Sequence, residues 1–162
     1  MKLEVYFIRH GESWANKIQQ TYGSIQWCIA DPSLTPKGMD DSKGAKCPQV
    51  DIVCCSELLR AKQTAIYMYP DKHIYVVPGT KELGLGLDNI PLRSTKYYSQ
   101  LIYMEKDNHC VEFIDYLKKF IHGNKIVLKI ALITHHRFIA KHTNEANCKN
   151  NQVVKTSYEI KC

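Results

Sequence analysis

Arg9, His10, Gly11 and Glu12 follow one another directly after an apolar run, Leu3 to Ile8. An imidazole beside a guanidinium at the mouth of a strand suits phosphoryl transfer through a histidine nucleophile. The arginine holds phosphate oxygens while a ring nitrogen attacks phosphorus. Only four of the 22 lysines and arginines are arginine: Arg9, Arg60, Arg93 and Arg137. Arg9 precedes His10, Arg137 follows His136, and Arg60 stands near the start of a predicted helix. A chain that otherwise uses lysine has arginine where a planar, two-pronged contact with an oxyanion is useful.

The chemistry needs more than one histidine. Thr134-His135-His136 ends another apolar run, and Glu82 comes directly before Leu83 to Pro91, a glycine-bearing stretch that reads as a loop over a site. On this reading Arg9 and Arg60 clamp the equatorial oxygens, and a protonated His135 donates a further hydrogen bond. His10 attacks from a neutral ring nitrogen while the Gly11 carbonyl fixes the other nitrogen and so the tautomer. Glu82 protonates the leaving oxygen, and Glu12 orients neighbouring groups. The arginines supply the positive charge, so neither a metal nor a cofactor is required. Taken alone, His10 reads as a structural strand-end histidine; the company of Arg9, Arg60 and His135 turns the reading to catalysis.

These residues must be positioned by strands and helices that alternate. Leu3–Ile8, Asp51–Cys55, His73–Val77 and Ile126–Thr134 have the β-branched and apolar content of buried strands, and Val153–Ile160 alternates like a final, partly exposed one. Helices are predicted from Glu12 to about Tyr22, from Glu57 to about Tyr69 with Ser56 as cap, from Asn108 to Ile121, and from His136 to about Asn144. A short helix is expected after Thr35 as N-cap with Pro36 at its first position. The pattern predicts an α/β protein, a three-layer α/β/α sandwich with a mostly parallel central sheet, formed as one domain over residues 1–162. In such sheets ligands gather at the carboxyl ends of the strands, where the candidate residues fall.

The ordered motifs resemble the histidine phosphatase superfamily, the phosphoglycerate mutase-like proteins. Arg9-His10-Gly11-Glu12-Ser13 with Asn16 is similar to the family signature. The segment from Asp31 to Gly38 resembles its loop after the first helix, and the segment from Cys55 to Ala65 its second signature, with Arg60 as phosphate-binding arginine. Thr134-His135 matches the second core histidine, and Glu82-Leu83 the region of the acid. The resemblance implies the phosphoglycerate mutase-like fold and a phosphohistidine on His10. It implies His10, Glu82 and His135 as catalytic residues, and Arg9, Arg60, His135 and Asn16 as phosphate ligands. His136 departs from the family pattern, which has glycine after that histidine. Family mutases carry longer insertions than this chain, so the resemblance favours a metal-independent phosphatase acting on phosphate monoesters. A phosphoglycerate mutase-type phosphotransferase and a non-catalytic phosphate-binding module are the alternatives.

Composition narrows the partners. The net charge of +6 comes from scattered lysines with no basic stripe interleaved with aromatics, which argues for a solvated surface rather than a nucleic-acid face. No apolar run approaches a membrane span and no secretory signal is visible. Seven cysteines without a Cys-x-x-Cys pair argue against a disulfide framework or zinc site and for a reducing, cytoplasmic compartment. The expected partner is a small phosphorylated substrate: a phosphosugar, a glycolytic phosphate, a nucleotide-derived phosphate or a phosphohistidine protein. Trp14, Trp27 and His142 read as packing residues, Arg137 and His136 as rim residues, and His73, His109 and His122 have no motif around them. The strand near Val153 is free to pair or stay single, which leaves the oligomeric state open.

Overall fold

The computed structural model describes residues 1–23, 29–92, 98–107, 112–121 and 127–160. Its strands are β1 (Lys2–Arg9), β2 (Ile52–Cys55), β3 (Ile74–Val76), β4 (Leu101–Tyr103), β5 (Val127–Thr134) and β6 (Val153–Glu159). Its helices are α1 (Trp14–Tyr22), α2 (Pro36–Gly44), α3 (Leu59–Met68), α4 (Phe113–Lys118) and α5 (His136–His142). The strands form one sheet in the order β4-β3-β2-β5-β1-β6, parallel throughout except where β6 runs antiparallel to β1.

Side-chain alternation along the central strands divides the core in two. Leu3, Val5 and Phe7 of β1, with Leu128, Ile130 and Leu132 of β5, bury against Phe113, Tyr116 and Leu117 of α4 and Phe138 and Ile139 of α5. Ile8, Val53, Cys55, Ala131 and Ile133 point the other way, onto Ala61, Ala65 and Met68 of α3. Helices therefore cover both faces, and the three-layer α/β/α arrangement read from the sequence is the observed one. Each fully buried Leu, Ile or Phe contributes roughly 1.5–3 kcal/mol. Helices as short as α4 and α5 have no independent stability, so the sheet is the rigid platform on which the strand ends sit.

Local chemistry explains the helix starts. Thr35 caps α2, its hydroxyl accepting from Gly38 N at 3.0 Å with Pro36 in the first turn, as expected. α1 begins two residues later than the sequence suggests, because Ser13 is its cap. Ser13 Oγ accepts from Asn16 N, and Asn16 Oδ1 accepts from Ser13 N at 3.0 Å, a reciprocal capping box.

Three expectations are corrected. β4 is an additional strand that the sequence did not reveal; it has three residues and sits at the sheet edge, where too few side chains alternate to leave a pattern. The helix expected from Asn108 to Ile121 is α4, six residues long, ending in single-turn bonds such as Phe120 N to Leu117 O at 3.1 Å. Its expected first four residues lie outside the described residues. Ser56 does not cap α3: Leu58 is the boundary residue, and the N–H of Leu59 donates instead to Asp31 Oδ1 at 2.8 Å. Arg93, Trp27, His109, His122, Cys28, Cys110 and Cys162 also fall outside the described residues.

Candidate active site

The parallel register pairs Arg9 of β1 with Thr134 of β5, and His10 N donates to Thr134 O at 3.0 Å. The next residues, His10 and His135, therefore leave the sheet side by side, with ring centroids 5.1 Å apart. β2 ends alongside, Ser56 N donating to Ile133 O at 2.9 Å, and delivers α3 with Arg60 in its first turn. The segment between Cys148 and Gln152 braces the other side. Asn151 N donates to Arg9 O, Arg9 N to Gln152 O, and Asn150 Nδ2 to His10 O at 2.8 Å.

His10 is buried, and its two ring nitrogens have partners of opposite kind. Nδ1 lies 2.7 Å from Gly11 O, which only accepts; Nε2 lies 3.3 Å from Arg60 Nε, which only donates. These partners assign the proton to Nδ1 and leave a lone pair on Nε2. Burial first, then the charges of Arg60 and Arg9, hold the His10 pKa well below 6.5, so the ring is neutral. Gly11 itself is fixed by its N–H to Thr64 Oγ1 at 2.9 Å. A Cβ at that position would stand 2.6 Å from Ser42 Oγ and 2.9 Å from Gly38 O, so the approach of this loop to α2 requires glycine.

Arg60 is buried with its guanidinium spread over three partners: Nε to His10, Nη1 to Asp88 O at 2.6 Å, and Nη2 to Asn89 Oδ1 at 2.9 Å. Among the described residues, these bonds use three of its five N–H groups and leave two for a ligand. Asp88 and Asn89 belong to a 3-10 turn, Leu87–Asn89, within the loop expected over the site. Arg9 is anchored through Nη1 to Cys148 O at 2.7 Å, while its Nε is buried with no partner among the described residues.

His135 is fully buried, with Nε2 2.8 Å from Ser56 Oγ and Nδ1 without a partner among the described residues. The protonated state expected for it does not hold in the free protein: burial, Arg60, His10 and Arg9 together keep its pKa well below 6.5. Ser56 Oγ already accepts from Leu58 N, so its own hydrogen is free to go to His135 Nε2 and place the imidazole proton on Nδ1.

Glu82 is half-buried and lines the same cavity as His10. Burial raises its pKa, opposed by N–H groups from Leu83 and Arg137 and by the charges of Arg60 and Arg137. Arg9, His10, Arg60, Glu82, Asn16 and His136 line one cavity of about 360 Å³, together with Ser13, Gln19, Asp88, Asn89 and Arg137. The structure thus gathers the expected residues; His135, fully buried, lies beside His10 with its ring centroid 5.1 Å away, at the edge of this group. Glu12 is turned away: its Oε1 accepts from Thr35 Oγ1 at 2.7 Å, tying the loop to the start of α2.

Sequence reasoning missed the support of this site. Ser56 holds His135, Thr64 holds Gly11, and Asp88 and Asn89 hold Arg60. Ser56 and Thr64 lie within the matched second motif, which was the available signal; the Asp88 and Asn89 contacts depend on a loop path that no local pattern encodes.

The buried neutral histidines have a thermodynamic consequence. His10 and His135 take up protons near 6.5 when unfolded but resist them when folded, so the unfolded state binds more protons and acid favours unfolding. Stability is fully present above about pH 7 and is lost as pH falls through 6.5, with a slope approaching about 1.4 kcal/mol per pH unit for each group. Urea midpoints measured from pH 8 to pH 5 should fall steadily below pH 6.5; a flat profile would contradict the buried neutral assignment.

The sequence profile of the histidine phosphatase superfamily (branch 1) matches residues 5–89, and the chain belongs to that superfamily. Among solved structures it is similar to a phosphoglycerate mutase from Bacillus anthracis str. Sterne, with 16% identity and a TM-score of 0.61, covering 98% of this chain and 88% of that one. It is also similar to mycobacterial glucosyl-3-phosphoglycerate phosphatase, with 16% identity, TM-score 0.60, and 97% and 91% coverage. Phosphoserine phosphatase from Entamoeba histolytica in complex with 3-phosphoglyceric acid gives 19% identity, TM-score 0.54, and 94% and 89% coverage. At these identities the likeness establishes the phosphoglycerate mutase-like fold. No curated protein sequence matches the chain. Among the described residues, no helix is long and apolar enough to cross a membrane.

Proposed function

We propose that the protein is a phosphatase that hydrolyses phosphate monoesters through a phosphohistidine on His10. The observation that carries this reading is the buried His10 ring, its proton held on Nδ1 by Gly11 and its Nε2 lone pair facing the Arg60 guanidinium. Phosphate oxygens suit the donors left without a partner among the described residues: Arg9 Nε, the remaining Arg60 N–H groups and His135 Nδ1. Asn16, whose Oδ1 is taken by the cap, has its amide N–H groups for the same ligand.

His10 Nε2 attacks phosphorus, the ester P–O bond breaks, and its electron pair leaves on oxygen. Glu82 gives that oxygen a proton, for which its raised pKa is suited. The resulting Glu82 carboxylate then takes a proton from water, which attacks phosphorus, breaks the N–P bond and releases inorganic phosphate. Dianionic phosphate in the cavity favours protonation of His135, so the charged donor is supplied with the ligand rather than held in advance. No step needs a metal, since the arginines provide the positive charge. Buried free thiols such as Cys54 and Cys55 suit a reducing, cytoplasmic compartment.

A mutase would return the phosphoryl group to its substrate. Leu83, Leu85, Leu87 and Ile90 around the cavity loop remain exposed, which favours water as the acceptor. A panel of phosphate monoesters assayed with and without a bisphosphate primer separates the two readings. Release of inorganic phosphate from several esters without primer is expected; activity that appears only with primer, as isomerised ester, would contradict the proposal.

A further inference from the structure

Arg137 stands in the first turn of α5, directly after His136, whose ring is tied by Nε2 to Ala146 O at 2.8 Å. Its backbone N–H donates to Glu82 Oε1 at 3.1 Å, and its Nη1 donates to Leu83 O at 3.1 Å. Leu83 N also donates to Glu82 Oε1, at 3.1 Å. Among the described residues, the hydrogen bonds that tie Glu82 and Leu83 to another element both come from Arg137. The guanidinium crosses Gly84, where φ is +157° and a Cβ would lie 2.9 Å from Nη1. A side chain at position 84 would require the Arg137 guanidinium to shift.

This arrangement selects one carboxyl oxygen. Oε1 accepts two N–H groups and so suits the carbonyl oxygen of a neutral acid, which leaves Oε2 to carry the transferable proton. We propose that Arg137 is a positioning residue through its side chain: its Nη1 latches Leu83 onto α5, beside the backbone N–H that any residue at 137 would keep, and so aims the Glu82 proton at the leaving oxygen. The proposal rests on the reading of Glu82 as the proton donor. The charges facing Glu82 come from three elements: Arg9 of β1, Arg60 of α3 and Arg137 of α5, with Asp88 the other carboxylate of the cavity. Arg137 therefore does two things: it holds the acid in place and its charge keeps the acid from becoming too weak.

The test compares wild type with R137A, R137K and E82Q, using kcat/KM for glycerol phosphate and 4-nitrophenyl phosphate across pH. An alkoxide needs a proton to leave, whereas nitrophenolate leaves without one, so loss of the acid changes the ratio between the two esters. In R137A the alkyl ester should lose about tenfold more than the aryl ester, a fraction of the 10²–10⁴ that a positioned acid supplies. The basic limb of its pH profile should move to higher pH, because a positive charge that lowers the Glu82 pKa has been removed. R137K should return the limb toward its original position while recovering only part of the rate, since lysine lacks the planar fork. E82Q should show the ester selectivity more strongly than R137A. Equal losses on both esters in R137A with an unmoved basic limb, alongside a selective E82Q, would overturn the latch alone. An E82Q variant without selectivity would remove the donor reading, and the latch with it.

Discussion

Replacing His10 by alanine should lower kcat/KM for phosphate-ester hydrolysis by roughly 10⁴-fold or more, because a nucleophile has no substitute in the cage around it. What remains should be the slower attack of water on an ester held by Arg9, Arg60 and His135. The fold should survive. The His10 side chain contributes one hydrogen bond to Gly11 and one from Arg60, whereas the β1–β5 ladder runs through the backbone and ends in His10 N to Thr134 O. Circular dichroism and a urea titration establish that the variant is folded, and steady-state kinetics on a phosphate ester read the loss. Equal rates for wild type and variant would favour a phosphate-binding module whose trace turnover comes from elsewhere.

Arg60 carries the second large effect. Arg60→Ala should reduce kcat/KM by about 10³-fold, the scale found when a preorganised donor to developing charge is removed from a dry site. It should also move the acid limb of the pH profile. Arg60 is the largest charge depressing the His10 pKa, second only to burial, so without it His10 protonates more readily and the limb shifts to higher pH. Arg60→Lys should restore the limb while leaving most of the rate loss, because a point charge cannot reach His10, Asp88 O and Asn89 Oδ1 together. A rate loss with no movement of the limb would mean that Arg60 does not face Nε2.

The three-layer fold was legible because long buried strands write themselves as apolar runs: Leu3–Ile8 and Ile126–Thr134 became β1 and β5, and their ends delivered His10 and His135 together. Short edge elements do not, and β4 was invisible for that reason. Among site residues, those fixed by a local turn or strand end were readable. Those that act across the chain were not. Ser56 read as a helix cap because serine before a helix usually is one, yet Asp31 reaches in to take the N–H of Leu59 and frees Ser56 for His135. Arg137 read as a rim residue because its bonds to Glu82 and Leu83 join positions 55 and 54 residues apart. His135 read as cationic because its chemistry was considered without the burial that neutralises it.

The most direct test of the account is a rapid alkaline quench of the wild-type protein during turnover of a phosphate ester, followed by mass-spectrometric mapping of the bound phosphoryl group. An acid-labile phosphoryl group on Nε2 of His10 is expected, forming at least as fast as turnover and absent from His10→Ala. A phosphoryl group on any other residue, or a burst of released alcohol with His10 unmodified, would contradict it.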